Sequence, residues 1–260
     1  MTVQVMEMAW RLDQAERSAQ PTGQLTATEP ELDVGTAYRI QRELVERRLK
    51  RGERLAGLKM GLTSRAKQAQ VGVDDVIWGR LTDAMRVADG GTVDVSRLIH
   101  PRIEPEVAFR LGEGGEATAV APALEVIDSR YADFRFALPD VVADNTSAAR
   151  FVVGPWSPVP DQLDNLGVLL EVDGRVVQTG STAAILGNPR RALARGLALA
   201  GAAGVLGGGG APRSGAGGAL QPEPGWVFLA GAATAAVPLR PGSHVRAVVE
   251  KLGTARVGAV

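Results

Sequence analysis

The chain has no cysteine in its 260 residues. Disulfides, a thiolate nucleophile and a zinc–thiolate site are therefore excluded. It also lacks an excess charge of either sign: 29 Lys and Arg balance 29 Asp and Glu, with no basic stripe. Nucleic acid and acidic membrane surfaces are not expected partners. No apolar run approaches the length that spans a bilayer. The first residues, M-T-V-Q-V-M-E-M-A-W, carry no basic segment followed by an apolar one, so no signal peptide is expected. These absences together point to a cytoplasmic location. Apolar residues make up 45% of the chain, enough for a real core, and the length allows one large domain or one domain with a smaller extension.

The stretch 99–109, I-H-P-R-I-E-P-E-V-A-F, stands out. Residues i and i+2 of a strand point to one face, so Glu104 and Glu106 converge on one spot. Two carboxylates held close repel, and each is costly to bury unpaired. A third acid, Glu125, lies in a second apolar run, A-L-E-V-I-D-S-R. Three carboxylates on two strands would suit a hard divalent cation. The alternative is the wet face of a half-buried strand, which is the commoner use of E-x-E. Val107, Ala108 and Phe109 break the polar alternation after Glu106 and favour a strand buried on both faces. Pro105 cannot donate a ladder hydrogen bond, which suggests an edge or a bulge. Lys59 sits among Leu58, Met60 and Leu62. It either snorkels to water or is buried beside the acids.

Helical spacing of Val5, Met8, Leu12 and Ala15 predicts a helix over about 3–19. A polar break with Pro21, Gly23 and Pro30 follows. A second helix is predicted over about 34–51, with Tyr38, Leu44, Val45 and Leu49 inward, a solvated charged face, and Gly52 at its end. From Leu55 short apolar runs alternate with turns. A short helix capped by Thr63 or Ser64 is expected after Thr63. A-D-N-T-S, at 143–147, reads as a turn or as a polar pocket wall. L-L-E-V-D-G-R-V-V is a strong hairpin signal, with Asp173 and Gly174 at its turn. A helix follows over R-A-L-A-R-G-L-A-L-A-G-A-A, then a glycine-rich surface loop at 207–218, then closing strands. The order predicts an α+β protein, with an N-terminal helical region at 1–54 and a β-rich region at 55–260.

In sequence order, L-K-M-G-L-T-S, I-H-P-R-I-E-P-E-V-A-F, A-L-E-V-I-D-S-R-Y, V-V-A-D-N-T-S, I-L-G-N-P and T-A-A-V-P-L-R-P-G resemble the fumarylacetoacetate hydrolase superfamily. Within it the chain is most similar to the branch of 2-oxo-3-hexenedioate (4-oxalocrotonate) decarboxylase and 2-oxopent-4-enoate hydratase. The resemblance implies a β-rich roll and a Mg²⁺ or Mn²⁺ held by Glu104, Glu106 and Glu125. It matches Lys59 to the active-site lysine of a G-x-K-x-G-L-T motif, with Gly57 as its first glycine. His100, Ser129, Asp144, Ser147 and Thr234 are expected at a small 2-oxo acid substrate. Ile77 stands where the hydratases carry an acid, and His100 and Tyr131 fit the branch, so decarboxylation is favoured over hydration. Another C–C lyase or hydrolase activity on a related acid is the alternative, and a non-catalytic partner subunit is disfavoured because no metal acid is missing. The resemblance further implies a homo-oligomer and an association with a hydratase homologue.

Overall fold

The structure is a computed structural model that describes residues 2–64, 76–205 and 221–260. The helix expected after Thr63 and the glycine-rich stretch 207–218 lie outside the described residues. The chain is α+β. Two helices, α1 (Val3–Ser18) and α2 (Val34–Lys50), come first. Asp33 caps α2 by accepting from the Thr36 N–H at 2.6 Å. Val5, Met8, Leu12 and Ala15 of α1 are buried as their spacing predicts. Val5, Met8 and Leu12 pack with Ala37, Ile40 and Leu44 of α2 and with Val141 and Val142 of a short third helix, α3 (Leu138–Ala143). The charged face expected on α2 needs correction. Glu43 and Arg48 are buried, and Arg48 pairs with Glu16 and Glu53. That face meets α1 and the following turn, and the ion pairs compensate the burial.

The strands build two sheets. Into the larger go β1 (Leu55–Gly61), β2 (Ile77–Thr82), β3 (Arg86–Val87), β5 (Arg102–Leu111), β6 (Ala117–Ile127), β7 (Ala148–Val153), β10 (Val227–Ala232) and β11 (Val237–Pro238). Their order is β2-β1-β10-β5-β6-β7-β3, with β11 beside one end of β5. The smaller sheet has β4 (Thr92–Val93), β8 (Gly167–Val172), β9 (Arg175–Ser181), β12 (His244–Val249) and β13 (Gly253–Ala259), in the order β4-β13-β12-β8-β9. The predicted hairpin joins β8 to β9 through Asp173 and Gly174, at φ 52° and 76°. Positive φ at both positions matches the right-handed twist of the paired strands.

Ile103, Leu124 and Val126 of the larger sheet meet Leu170, Val245, Ala247 and Val257 of the smaller in one core. A second core packs Phe109, Val107 and Phe228 under Ala192 and Leu193 of α4 (Pro189–Val205). Both faces of β5 are buried along most of its length, as its unbroken apolar run predicts. Of the edge or bulge that Pro105 suggested, the edge is not observed, since β5 lies between β10 and β6, while an irregularity is present in its pairing with β10. The neighbour absorbs the proline instead. β10 shifts register between Leu229 and Ala232, and β11 resumes pairing only at Val237. Pro105 faces that gap, where its carbonyl accepts from Ala233 N–H at 3.0 Å and no ladder donor is required of it. Among the described residues no helix is long and apolar enough to cross a membrane.

Candidate active site

In the antiparallel pair β5–β6, Glu104 stands directly opposite Glu125. Glu106, two residues along β5, shares that face. One carboxylate oxygen from each of the three lies within 4.8 Å of the other two, and all three residues are buried. Loss of water pushes the Glu106 carboxyl well above its usual range, and the charges of Glu125 and Glu104 push it further. Burial also raises Glu125, against the pull of Lys59. Glu106 Oε2 accepts from the Gly231 N–H at 2.8 Å. Gly231 has φ 108°, and a Cβ there would fall 2.2 Å from Thr63 Oγ1, so only glycine can present this donor. Glu106 Oε1 and Glu125 Oε2 are buried with no hydrogen-bond partner among the described residues. Buried carboxylate oxygens without donors, grouped so closely, fit a hard divalent cation with oxygen ligands.

Lys59 reaches the same face from β1. It pairs with Leu229 of β10, which pairs with Ala108 of β5, so the three side chains stand on one side of the sheet. Lys59 is buried, with Nζ 3.1 Å from Glu125 Oε1 and donating to the Thr146 carbonyl at 2.8 Å. An ammonium has three donors, so among the described residues one remains for the cavity that Lys59 lines. Gly79 lies across from Lys59 on β2. A Cβ at Gly79 would come within 2.7 Å of the Asn145 carbonyl and 3.1 Å of Lys59 Cδ.

The partner carbonyl of Lys59 belongs to an unusual turn. Asn145, Thr146 and Ser147 are consecutive left-handed residues, with φ 48°, 55° and 57°. Each such non-glycine residue costs about 1–2 kcal/mol, so the turn must be held from outside. The Asn145 amide accepts from Arg80 N–H and donates to the Arg80 carbonyl, both at 2.8 Å. Thr146 Oγ1 donates to the Trp78 carbonyl at 3.0 Å. Gln41 of α2 donates to Trp78 and Val142 carbonyls at 2.9 and 3.0 Å and accepts from Arg80 at 2.6 Å. Burial lowers Arg80 to about 10. Beneath the turn, Arg130 Nε pairs with Asp144, and its guanidinium also donates to the carbonyls of Asp128, Asp144 and Ala148. Burial pushes Asp144 up to about 7 while Arg130 pulls it down. Arg130 loses by burial and gains more from Asp144, Glu16 and Asp128, and ends above its usual value. A guanidinium so held stays charged.

A cavity of about 900 Å³ opens over these groups. Lys59, Glu104, Ser147 and Thr234 line it, and the buried Ser147 hydroxyl has no hydrogen-bond partner among the described residues. His100, Ser129 and Asp144 stand outside that lining. The Asp144 carboxylate is engaged by Arg130, Ser129 Oγ accepts from the Tyr131 N–H at 3.2 Å, and the His100 ring packs against Phe134 at 5.0 Å. The sequence reasoning missed Gln41, Arg80 and Arg130, whose polar groups hold the turn, while Asn145, within the turn read at A-D-N-T-S, secures it with its own side chain. D-S-R and A-D-N-T-S were both noticed as motifs, but nothing local pairs Arg130 with Asp144. Arg102, Phe134, Arg135 and Phe136, on the cavity wall, were also missed. Arg102 had a signal: it is two residues before Glu104, in strand register with the acids.

No family model matches the chain. It is 47% identical over 263 aligned residues to a 4-oxalocrotonate decarboxylase of Pseudomonas sp, covering 97% of this chain and 96% of the relative. It is 38% identical over 201 residues to a 2-keto-4-pentenoate hydratase of Paraburkholderia xenovorans, covering 72% of this chain and 75% of the relative. The structure of a 4-oxalocrotonate decarboxylase from Pseudomonas putida G7, complexed with magnesium and adipate, superposes with a TM-score of 0.87 at 36% identity, covering 100% of this chain and 99% of that one.

Proposed function

The chain belongs to the family of 4-oxalocrotonate decarboxylases and 2-keto-4-pentenoate hydratases, and from that premise we propose that it is a divalent-metal-dependent carboxy-lyase converting 2-oxo-3-hexenedioate to 2-hydroxypenta-2,4-dienoate and CO2. The observation that carries the choice within the family is the likeness to a decarboxylase at 47% identity along 97% of the chain, against 38% along 72% for a hydratase. The closely related structure holds magnesium and a six-carbon diacid, in keeping with a metal-assisted reaction on a diacid.

Glu104, Glu106 and Glu125 would hold Mg²⁺, or Mn²⁺, through hard oxygen ligands. Bound there, the ion supplies a Lewis acid for the 2-oxo end of the substrate. The remaining work falls to the chain. The C5–C6 bond breaks, CO2 leaves, and the electron pair runs through the 3,4 double bond to the 2-oxo oxygen. Lys59 hydrogen-bonds that oxygen as charge gathers on it and donates the proton that completes the enol. Its contacts with Glu125 and the Thr146 carbonyl fix its direction. The Ser147 hydroxyl and Thr234 contact the substrate from the cavity wall. His100, Ser129 and Asp144 support the wall from behind. The proposal extends to a homo-oligomer and to an association with a hydratase homologue, which would consume the dienol; co-migration of the two purified proteins on size exclusion tests it.

The test is an ultraviolet assay with 2-oxo-3-hexenedioate and separately with 2-hydroxypenta-2,4-dienoate. We expect loss of the first and accumulation of the second. Consumption of the dienol alone would reassign the chain to the hydratases.

A further inference from the structure

The cavity runs past the acids to a rim where Arg102, Phe134, Arg135 and Phe136 line it. Arg102 precedes Glu104 by two residues on β5, so Arg102, Glu104 and Glu106 form one row on one face. The rise of a strand sets Arg102 about 7 Å from Glu104 along that row. This is close to the span of an extended six-carbon diacid. Among the described residues Arg102 forms no ion pair with a carboxylate. Its guanidinium instead lies 5.1 Å from the centroid of the Phe134 ring.

Phe134 is itself held in place. Asp133 and Phe134 are both left-handed, with φ 58° and 55°. A bulky side chain rarely adopts that conformation, and it persists only where the surroundings impose it. Here the His100 ring at 5.0 Å and the Phe136 ring at 5.9 Å flank Phe134. The aromatic face thus presented is a seat for a planar cation. Asp133 lines the same rim, one negative charge against the two positive charges of Arg102 and Arg135. The rim is therefore net positive.

We infer that Arg102, seated on Phe134, recognises the second carboxylate of a 2-oxo dicarboxylate whose first end lies at the acid triad, and so selects diacids over 2-oxo monoacids. This rests on the reading of the site given under the proposed function. A guanidinium matches a carboxylate through two parallel N–H donors, which a lysine could not reproduce. The carboxylate it holds is the one that departs as CO2. An interaction with a charge that disperses during reaction stabilises the bound substrate at least as much as the transition state. Arg102 accordingly lowers KM without raising kcat.

The experiment compares wild type, Arg102→Gln and Phe134→Leu, each with Mg²⁺ added. Two inhibitors of equal chain length are titrated, 2-oxoadipate and 2-oxohexanoate, and kcat and KM are measured for 2-oxo-3-hexenedioate. Wild type should bind the diacid about tenfold more tightly than the monoacid. Arg102→Gln should erase that preference and raise KM by a similar factor, with a much smaller change in kcat. Phe134→Leu should weaken the preference in the same direction, and both variants should retain Mg²⁺ binding. An undiminished preference in Arg102→Gln, or none in wild type, overturns the inference while leaving the metal site standing. If wild type binds neither inhibitor in a Mg²⁺-dependent way, the reading of the site fails and this inference fails with it.

Discussion

Lys59 is surrounded by apolar residues in the sequence and by polar atoms in the fold. Leu58 and Met60 point to the opposite face of β1, into the core under α4, while Lys59 meets Glu125 and the Thr146 carbonyl. Alternation along a strand explains both facts. The sequence left open whether the lysine snorkels, and only the packing of three neighbouring strands decides that it does not. Lys59→Met keeps the length and apolar character of the stem and removes the donor. Turnover should fall by about 10²–10⁴-fold, the range for loss of a positioned acid, with Mg²⁺ affinity changed little. Steady-state rates and isothermal titration with Mg²⁺ check the two halves. Near-normal turnover would remove Lys59 from the chemistry.

At the scale of elements, the E-x-E strand, its partner carrying Glu125 and the Asp173–Gly174 hairpin were all legible, because each follows from strand period or turn chemistry within a few residues. A turn at A-D-N-T-S was legible too, but its left-handed backbone at Asn145–Ser147 was not. A-D-N-T-S does not by itself prescribe three left-handed residues; Arg80, Trp78 and Arg130 impose them from distant parts of the chain. Pro105 gave a true signal with the wrong owner, since the irregularity lies in β10 and not in β5. If Arg130 secures the turn, Arg130→Met leaves Asp144 and three carbonyls without their donor. Loss of one partner of a buried pair costs about 3–5 kcal/mol, and urea unfolding of the variant should show a loss in that range. A loss below about 1 kcal/mol would mean that the pair behaves as a surface contact.

Across the whole molecule, three carboxylates buried on the neighbouring strands β5 and β6 are a standing cost of the metal-free fold. Burial and mutual repulsion raise Glu106 and Glu125 above their ordinary 4.5. For acids with raised folded-state values, the contribution to stability is fully present below the ordinary value and is lost as pH rises through the raised one. The metal-free protein should therefore lose stability through this site as pH rises above about 4.5. A divalent cation needs the carboxylates ionised, so its stabilising effect should grow over the same interval. Thermal unfolding with chelator and with saturating Mg²⁺ reads the difference. The gap in Tm should be wider at pH 8 than at pH 6, and ligand linkage makes it worth about 2.7 kcal/mol at a hundredfold excess over Kd. A gap that narrows with pH would contradict the assignment of these acids as ligands.

The central claim joins the acid triad to the loss of CO2. Its most direct measurement is CO2 release from 2-oxo-3-hexenedioate by chelator-stripped protein as Mg²⁺ is restored, run beside Glu106→Gln. The account predicts release that is absent without metal, saturates as Mg²⁺ binds, and stays absent in the variant at the same Mg²⁺. Release by the stripped wild type, or equal release by Glu106→Gln, would contradict it.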